Sequence, residues 1–417
     1  MSEEKKPQTP SGWPGMVRRA VRRAPSTDPA IANGDAWKEM LAELERAGSF
    51  VVGEGAPENQ LDQAEGWLHL ASLLRMGAGE MMVTVDPDRP RFEWNDGTGK
   101  WGLDCSDALY AQASVRAGNV YRVRGRRGSV HFLGIQLVAR MRAVVDVDAD
   151  DLEIDDDGIF DIQLGGDNPG EGNWVELPED ATAIIVRQFF YDWDNEEPAT
   201  LTIDRIDGGA SKSPTTVSPG ATAAQLRAVG RFVHDNTQWW VQATLGKQGE
   251  HLNTFPDDQG GLGNVAVASQ KYQAFGIGYF RLADDEALLV EVTPPAARYW
   301  SLHLGNYWME SLDFANYQSS LNGHQAVIDS DGVFRAVISV RDPGIPNWLD
   351  PAGHTEGTMV YRWNQADQAP IPATRVVPFE SVRGLVPADT PEVTPDQREA
   401  SIERRRVHVR RRYARPL

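Results

Sequence analysis

The chain has 417 residues, of which 41% are hydrophobic and 24% are charged, with a formal net charge of −19 at pH 7. Thirty-nine glycines, 26 prolines and 13 tryptophans favour strands and turns over long helices. No apolar run approaches the ~20 residues of a membrane-spanning helix, and a single cysteine excludes an intrachain disulfide. We therefore expect a cytoplasmic protein without a membrane span, and the acidic body disfavours nucleic acid as a partner.

The N-terminal part of the chain contains two kinds of pattern. Residues 1–34 are rich in proline and polar residues without a sustained period, which predicts a mobile arm. Over residues 35–80, apolar residues recur at helical spacing in two runs. The break between the runs, SFVVGEGAPENQ, contains glycine and proline. The pattern predicts a helical hairpin.

Residues 81–206 form the first β-rich unit that the sequence predicts. The apolar period becomes two, beginning with the run MMVTVD from Met81, and turn residues separate strand-length runs. Two alternating runs flank Arg126–Gly128 and predict a β-hairpin there. The Asp-rich residues 143–165 have the oxygen donors that calcium uses but lack the order of an EF-hand, so a solvent-facing hairpin turning at Asp157-Gly158 is the favoured interpretation.

Residues 207–285 predict a connection made of a helix and a long loop. Ser218 followed by Pro219 is typical of a helix start. The glycine- and asparagine-rich residues 249–278 predict a functional or disordered loop.

Residues 387–417 predict a basic helical tail. Its arginines suit docking on an acidic surface, either of the same chain or of a second subunit, and homo-oligomer formation is therefore expected. Contact with RNA or anionic lipid is the disfavoured alternative. The arginines are Arg404, Arg405, Arg406, Arg410, Arg411, Arg412 and Arg415.

Residues 286–386 predict a second β-sandwich. In the strand around residue 300, Tyr299, Ser301 and His303 share one face, while Trp300 and the leucines share the other. Similar apolar rows near residues 338 and 361 should pack against a second sheet. The mixed rows face either water or a cavity closed by the 249–278 loop or the N-terminal helices. The whole pattern predicts a mainly β protein with helical additions: two β-sandwich or jelly-roll-like units, an N-terminal helical hairpin and an arginine-rich C-terminal helix.

Polar residues in this second unit are the candidate site. His303 is suited to acid–base catalysis near neutral pH, and Arg341 to holding a carboxylate or phosphate. The alternative is structural, because asparagines bond turns, tryptophan fills a sandwich end and arginines pair with acids. The candidate ligand-binding residues are Asn316, Asn322, Asn347, Trp348, His354 and Arg362.

Other catalytic signatures are absent from the sequence. There is no GxSxG, P-loop, HExxH or strand-to-helix GxGxxG motif. The eight histidines lack metal-ligand spacing, so neither a metal nor a cofactor is predicted. The acidic surroundings of Cys105 oppose thiolate formation.

Three strings in the second half of the chain carry a resemblance to a known family. They are DEALLVEVTPPAARYWSLHLGNYW from residue 285, residues 311–357 with the string PNWL, and MVYRW from residue 359. With a weaker similarity in residues 109–134, the resemblance extends from residue 109 to residue 363, a span of about three-fifths of the chain. These strings resemble DUF1214, a bacterial family of unknown function often found beside DUF1254. The resemblance implies a jelly-roll-like sandwich and transfers no reaction or catalytic residue.

Three function classes follow from these observations. The first is a cofactor-independent enzyme, a lyase, isomerase or hydrolase, acting on an apolar small molecule with an oxygen or carboxylate group. The second is a small-molecule- or glycan-binding sandwich, and the third is a structural, oligomer-forming protein. A buried cavity with His303 and Arg341 would favour the enzyme, whereas an exposed tryptophan groove would favour the binder.

Overall fold

The computed structural model describes residues 27–414 apart from 84–85, 96, 98, 140–141, 209–216 and 257–272. Within these residues, 17 strands form four sheets of four or five strands, so the predicted fold class is confirmed. No helix in this part of the chain is long and apolar enough to cross a bilayer. The α-helices are α1 (Pro29–Ala32), α2 (Asp35–Val52), α3 (Gln60–Ala78), α4 (Pro219–Glu250) and α5 (Pro395–Tyr413).

Two sheets form the first sandwich, in the orders β1-β2-β8-β4-β5 and β7-β6-β3-β9. Alternate residues of both sheets, such as Tyr121 and Ile135, meet in one apolar core because strand side chains alternate between faces. The strands are β1 (Glu93–Trp94), β2 (Ala108–Ser114), β3 (Tyr121–Arg126), β4 (Phe132–Ala139), β5 (Arg142–Asp148), β6 (Ile159–Leu164), β7 (Asn173–Val175), β8 (Ala183–Phe189) and β9 (Thr200–Arg205).

Two local predictions in this unit are wrong. The strands β3 and β4 do not form a hairpin, because β3 pairs with β6 and β9 while β4 pairs with β5 and β8. The turn between them instead carries the chain from one sheet to the other, with Gly128 at φ +61° against the backbone of Glu197. The run from Met81 does not begin as a strand, since Gly79–Val83 is a π-helical turn that follows α3. In the Asp-rich segment, Ile154 does pair with Phe160 across the predicted turn.

The second sandwich has the sheet orders β10-β16-β12-β13 and β15-β14-β11-β17. Trp300 is opposite Trp363 in the first of these sheets, and both contribute to the core between the sheets together with Ile338 and Tyr361, so the predicted faces are confirmed. The strands are β10 (Gln273–Arg281), β11 (Glu286–Val292), β12 (Ala297–Gly305), β13 (Ser320–Asn322), β14 (Phe334–Ile338), β15 (Trp348–Leu349), β16 (Glu356–Ala366) and β17 (Ala373–Pro378).

The helices α2, α3 and α4 pack together on the outer face of the β10–β16–β12 sheet. Trp240 of α4 lies against Ile277 and Val360 of that sheet. The side chain of Trp308, just after β12, anchors α3, because its Nε1 donates to the backbone oxygen of Asp62 at 2.7 Å. A Cβ on Gly66 would lie 2.4 Å from the Trp308 ring, so this close approach requires glycine. The N-terminal end of α3 is thereby fixed against the second sandwich.

The predicted arginine-rich C-terminal helix is present as α5, and it lies on its own chain. Arg405 and Arg412 are buried, and each guanidinium lies 4.6 Å from the centre of the Trp193 ring. Arg405 Nε donates to the backbone oxygen of Phe314 at 2.9 Å. These contacts are with an aromatic ring and a carbonyl, so α5 packs partly through its arginine stems and not through surface ion pairs alone.

Some predictions fall wholly or partly outside the described residues. The mobile arm assigned to residues 1–34 lies outside them up to residue 26, and α1 begins at Pro29. Of the loop assigned to residues 249–278, residues 257–272 lie outside the described part. The rest belongs to the end of α4, a short segment with isolated bridges to Tyr279, and β10.

Candidate functional site

Three ionisable side chains from two distant parts of the chain converge beside the start of α3. Asp62 and Glu65 are three residues apart on that helix and therefore share a face. His354 comes from the loop between β15 and β16. Its Nε2 is 2.9 Å from Oε2 of Glu65 and 4.0 Å from Oδ1 of Asp62. We call these three residues the α3–His354 cluster.

Local contacts hold each member of the cluster in place. Asn59 is the N-cap of α3, and its side chain accepts from the Asp62 backbone N–H at 2.8 Å while its amide donates to Oδ2 of Asp62. His354 Nδ1 is 2.7 Å from the backbone oxygen of Pro351, and a carbonyl can only accept, so Nδ1 carries a proton. The other ring nitrogen, Nε2, is therefore the atom directed at the carboxylates.

The two carboxylates differ in how deeply they are buried. Asp62 is 1% exposed, and its Oδ1 has no hydrogen-bond partner among the described residues. Burial raises the pKa of Asp62, opposed by the hydrogen bond from Asn59. The side chain of Glu65 is 23% exposed and connects the cluster to solvent. Burial tends to lower the pKa of His354, but the hydrogen bond and charge of Glu65 outweigh it, and the pKa is raised.

A buried hydroxyl group adds a possible hydrogen-bond donor near the cluster. Tyr307 is 3% exposed, and its hydroxyl lacks a hydrogen-bond partner among the described residues. Burial, together with the carboxylates of Asp62 and Glu356, raises the pKa of Tyr307 to about 12, so the hydroxyl keeps its proton at neutral pH. Asp62 thus has an unused acceptor and Tyr307 an unused donor. Such buried groups are uncommon and call for an explanation.

The predicted catalytic residue His303 lies elsewhere, inside the protein on β12. It is fully buried, and its Nδ1 is 3.0 Å from Nη1 of Arg362. A guanidinium can only donate, so the ring accepts and is neutral. Burial and then the charge of Arg362 hold the pKa of His303 well below its usual value. The second nitrogen of Arg362 donates to the backbone oxygen of Leu103 at 2.6 Å, so both predicted residues face the interface with the first sandwich.

The structure does not bring Arg341 to His303. Arg341 follows β14 in the other sheet of the second sandwich and is exposed. Its guanidinium stacks on Phe379 at 3.9 Å and pairs with Glu380 at 3.3 Å. The predicted His303–Arg341 catalytic pair is corrected accordingly, since one member is sealed inside and the other is held at the surface.

The remaining predicted ligand residues are divided between different neighbourhoods. Only His354 belongs to the α3–His354 cluster. The other four use their polar atoms in hydrogen bonds within the protein, as the structural alternative expects. They do not line one shared cavity, and the contact of Asn316 lies at the surface. These contacts join Asn316 to Arg406, Asn322 to Asp107, Asn347 to Val327 and Trp348 to Ser339.

The full sequence and the fold were compared with known proteins. No protein-family model matches it, and no curated protein matches it. The crystal structure of an uncharacterized protein from Burkholderia cenocepacia aligns with a TM-score of 0.79 and 33% identity, covering 85% of this chain and 99% of that chain. The VPA0106 protein from Vibrio parahaemolyticus aligns with a TM-score of 0.45 and 10% identity, covering 80% of this chain and 100% of that chain. Neither description states an activity.

Proposed function

The chain belongs to the same family as the uncharacterized Burkholderia cenocepacia protein, and we propose that it is an enzyme acting on a small molecule bound at the α3–His354 cluster. The substrate is an apolar molecule with an oxygen or carboxylate group, and the reaction is that of a lyase, isomerase or hydrolase. We further propose that the family is DUF1214-like, on the strength of the strings in residues 285–363.

The observation that supports this site best is the pair of buried, unsatisfied polar atoms, Oδ1 of Asp62 and the hydroxyl of Tyr307. Leaving such a group unpaired costs about 1–3 kcal/mol. A ligand that presents a donor to one and an oxygen to the other recovers that free energy. Positions where a ligand supplies the missing partner are typical of binding sites.

The cluster and the neighbouring Tyr307 supply groups suited to the proposed chemistry. The hydroxyl of Tyr307 can donate to an oxygen of the ligand and stabilise negative charge on it. Carboxylates such as those of Asp62 and Glu65 can exchange a proton with a bound molecule. Glu65 is the partly exposed member, so the proposed ligand would approach the cluster from its side.

Tyr307→Phe tests the site because it removes one oxygen and keeps the ring, which packs near Val51 and Val241. We expect the variant to fold and to bind the small molecule at least ~5-fold more weakly, the loss that one unpaired buried polar group implies. The ligand is first identified by mass spectrometry of metabolites extracted from the purified chain, and its affinity is then measured by calorimetry. Tyr317→Phe, at a tyrosine that is 39% exposed, is the matched control. Equal affinities of the two variants would contradict the proposal.

A second candidate function is assembly with another copy of the chain. Large apolar side chains are exposed on α2 and α3, among them Trp37, Trp67 and Leu68, the last at 69%. Exposed groups of this kind mark interaction surfaces. We expect light scattering to give an oligomer for the unmodified chain and a monomer for Leu68→Glu. A monomeric unmodified chain would exclude this function.

A further inference from the structure

We infer that the α3–His354 cluster binds a divalent transition-metal cation through one carboxylate oxygen each of Asp62 and Glu65 and through Nε2 of His354. This deepens the proposed function, on which the role of the cation in holding the small molecule rests. Binding of the cation itself requires only these three side chains and no substrate.

The spacing of the donor atoms suits one ion. One ligand atom from each residue lies within 4.8 Å of the other two, and two of the separations are 2.9 and 4.0 Å. Neighbouring ligands on one ion, each ~2.1 Å from it, are roughly 3.0–3.4 Å apart. Small side-chain movements therefore bring all three donors to bonding distance, and no backbone rearrangement is needed.

The unsatisfied oxygen of Asp62 is an independent sign of a missing cation. In the part of the chain that the structure describes, no donor reaches the buried Oδ1, and Nε2 of His354 is too far away at 4.0 Å to supply one. Asp107 provides the contrast within the same protein. It is fully buried too, but its oxygens accept from Trp193, Tyr299 and Asn322 at 2.6–2.9 Å, so it needs no ion.

The orientation of His354 is that of a metal ligand. A ligating imidazole usually donates its other N–H to a carbonyl or carboxylate, which fixes the tautomer and the ring plane. His354 does this through Nδ1 and the backbone oxygen of Pro351. Without a cation, Nε2 also carries a proton, because it is hydrogen-bonded to Oε2 of Glu65 at 2.9 Å and a carboxylate only accepts. A cation would displace that proton and bind the Nε2 lone pair, which is directed at the carboxylates.

The donor set selects the class of metal. One imidazole and two carboxylates are harder than a thiolate site and softer than the all-oxygen sites of calcium and magnesium, so Mn²⁺, Fe²⁺ and Zn²⁺ fit best. Three protein ligands leave at least one position open for another ligand, as in catalytic sites. An oxygen of the small molecule in that position would link the cation to the proposed reaction.

The test is a calorimetric titration of the full-length chain, stripped with EDTA and dialysed, with MnCl₂ and separately with ZnCl₂. We expect one equivalent to bind per chain, and His354→Ala to weaken binding by at least ~10-fold. His324→Ala is the matched control, because His324 is half-exposed and lies outside the cluster. Circular dichroism verifies that both variants are folded. Should His354→Ala not fold, Asp62→Asn replaces it, with the same expected loss.

Two results would overturn the inference: no binding of either metal, or equal binding by the folded cluster variant and the His324→Ala control. The outcomes for the proposed function are separate. Specific metal binding without any small-molecule ligand would support the cation site and reject the enzyme. A ligand whose affinity falls in Tyr307→Phe, on a chain that binds no metal, would reject the cation site and keep the enzyme.

Discussion

Replacing Trp300 by alanine should lower the free energy of unfolding by about 3–5 kcal/mol. The ring is 6% exposed between the sheets of the second sandwich, and its centroid lies 5.0 Å from that of Phe334 and 5.9 Å from that of Trp363. Gly323 closes the remaining side, because a Cβ there would lie 2.3 Å from Nε1 of Trp300. Alanine would leave a cavity that these neighbours are too constrained to fill.

Urea unfolding followed by circular dichroism measures this loss. Tyr317→Ala is the control, since Tyr317 is 39% exposed and its replacement should change the free energy of unfolding by only about 0.5 kcal/mol. Equal unfolding midpoints for the two variants would place Trp300 outside the core and would contradict the arrangement of the sheets.

The buried face of a strand is easier to predict from the sequence than the strands with which it pairs. Alternation around Trp300 identifies the apolar face because side chains on a strand have a period of two. The same alternation in β3 and β4 is equally compatible with a hairpin and with a crossing between two sheets. The choice depends on long-range pairing with β6, β8 and β9, which a local pattern does not contain.

Residues 273–278 of β10 fall within the predicted 249–278 loop for a different reason, although the run FGIGYF is strand-like. The strand pairs with β16 along its whole length, but Gly276 and Gly278 interrupt the side-chain alternation. A Cβ on Gly276 would lie 2.4 Å from the Tyr361 ring, and one on Gly278 would lie 2.2 Å from a backbone oxygen of Thr254. Glycine permits these close approaches, and it thereby hides the strand from a search for alternating side chains.

Prediction of the candidate site from the sequence has the same limit, because it too depends on contacts between distant parts of the chain. Strand parity correctly placed His303 on the mixed-polarity row of β12, but it could not show that this row is sealed against the first sandwich. The polar loop that contains His354 makes this residue a candidate. No local pattern distinguishes Asp62 and Glu65, because two acids on one helix face are common on protein surfaces. Their pairing with a histidine 289 residues away from Glu65 is a tertiary fact.

Acidification should destabilise the fold through two buried neutral histidines, at about 1.4 kcal/mol per pH unit for each. The pKa of His303 is held well below its usual value by burial and by Arg362. Burial and the neighbouring arginines, chiefly Arg412, lower the pKa of His408 to about 2. In the unfolded chain both rings take up a proton near pH 6.5. Because the unfolded state then binds more protons at these two positions than the folded state, their contribution to stability is fully present above this pH and is lost as the pH decreases toward the folded pKa values.

His303→Gln separates one of these contributions, since the amide can still accept from Arg362 but cannot be protonated. We expect the unmodified chain to lose stability between pH 6 and pH 4.5, and the variant to lose about 1.4 kcal/mol less per pH unit. Urea unfolding at several pH values measures both slopes. His324→Gln is the control, because its half-exposed ring has no comparable burial and should leave the slope of the unmodified chain unchanged. If His303→Gln has the slope of this control, the imidazole of His303 is not held neutral in the folded protein.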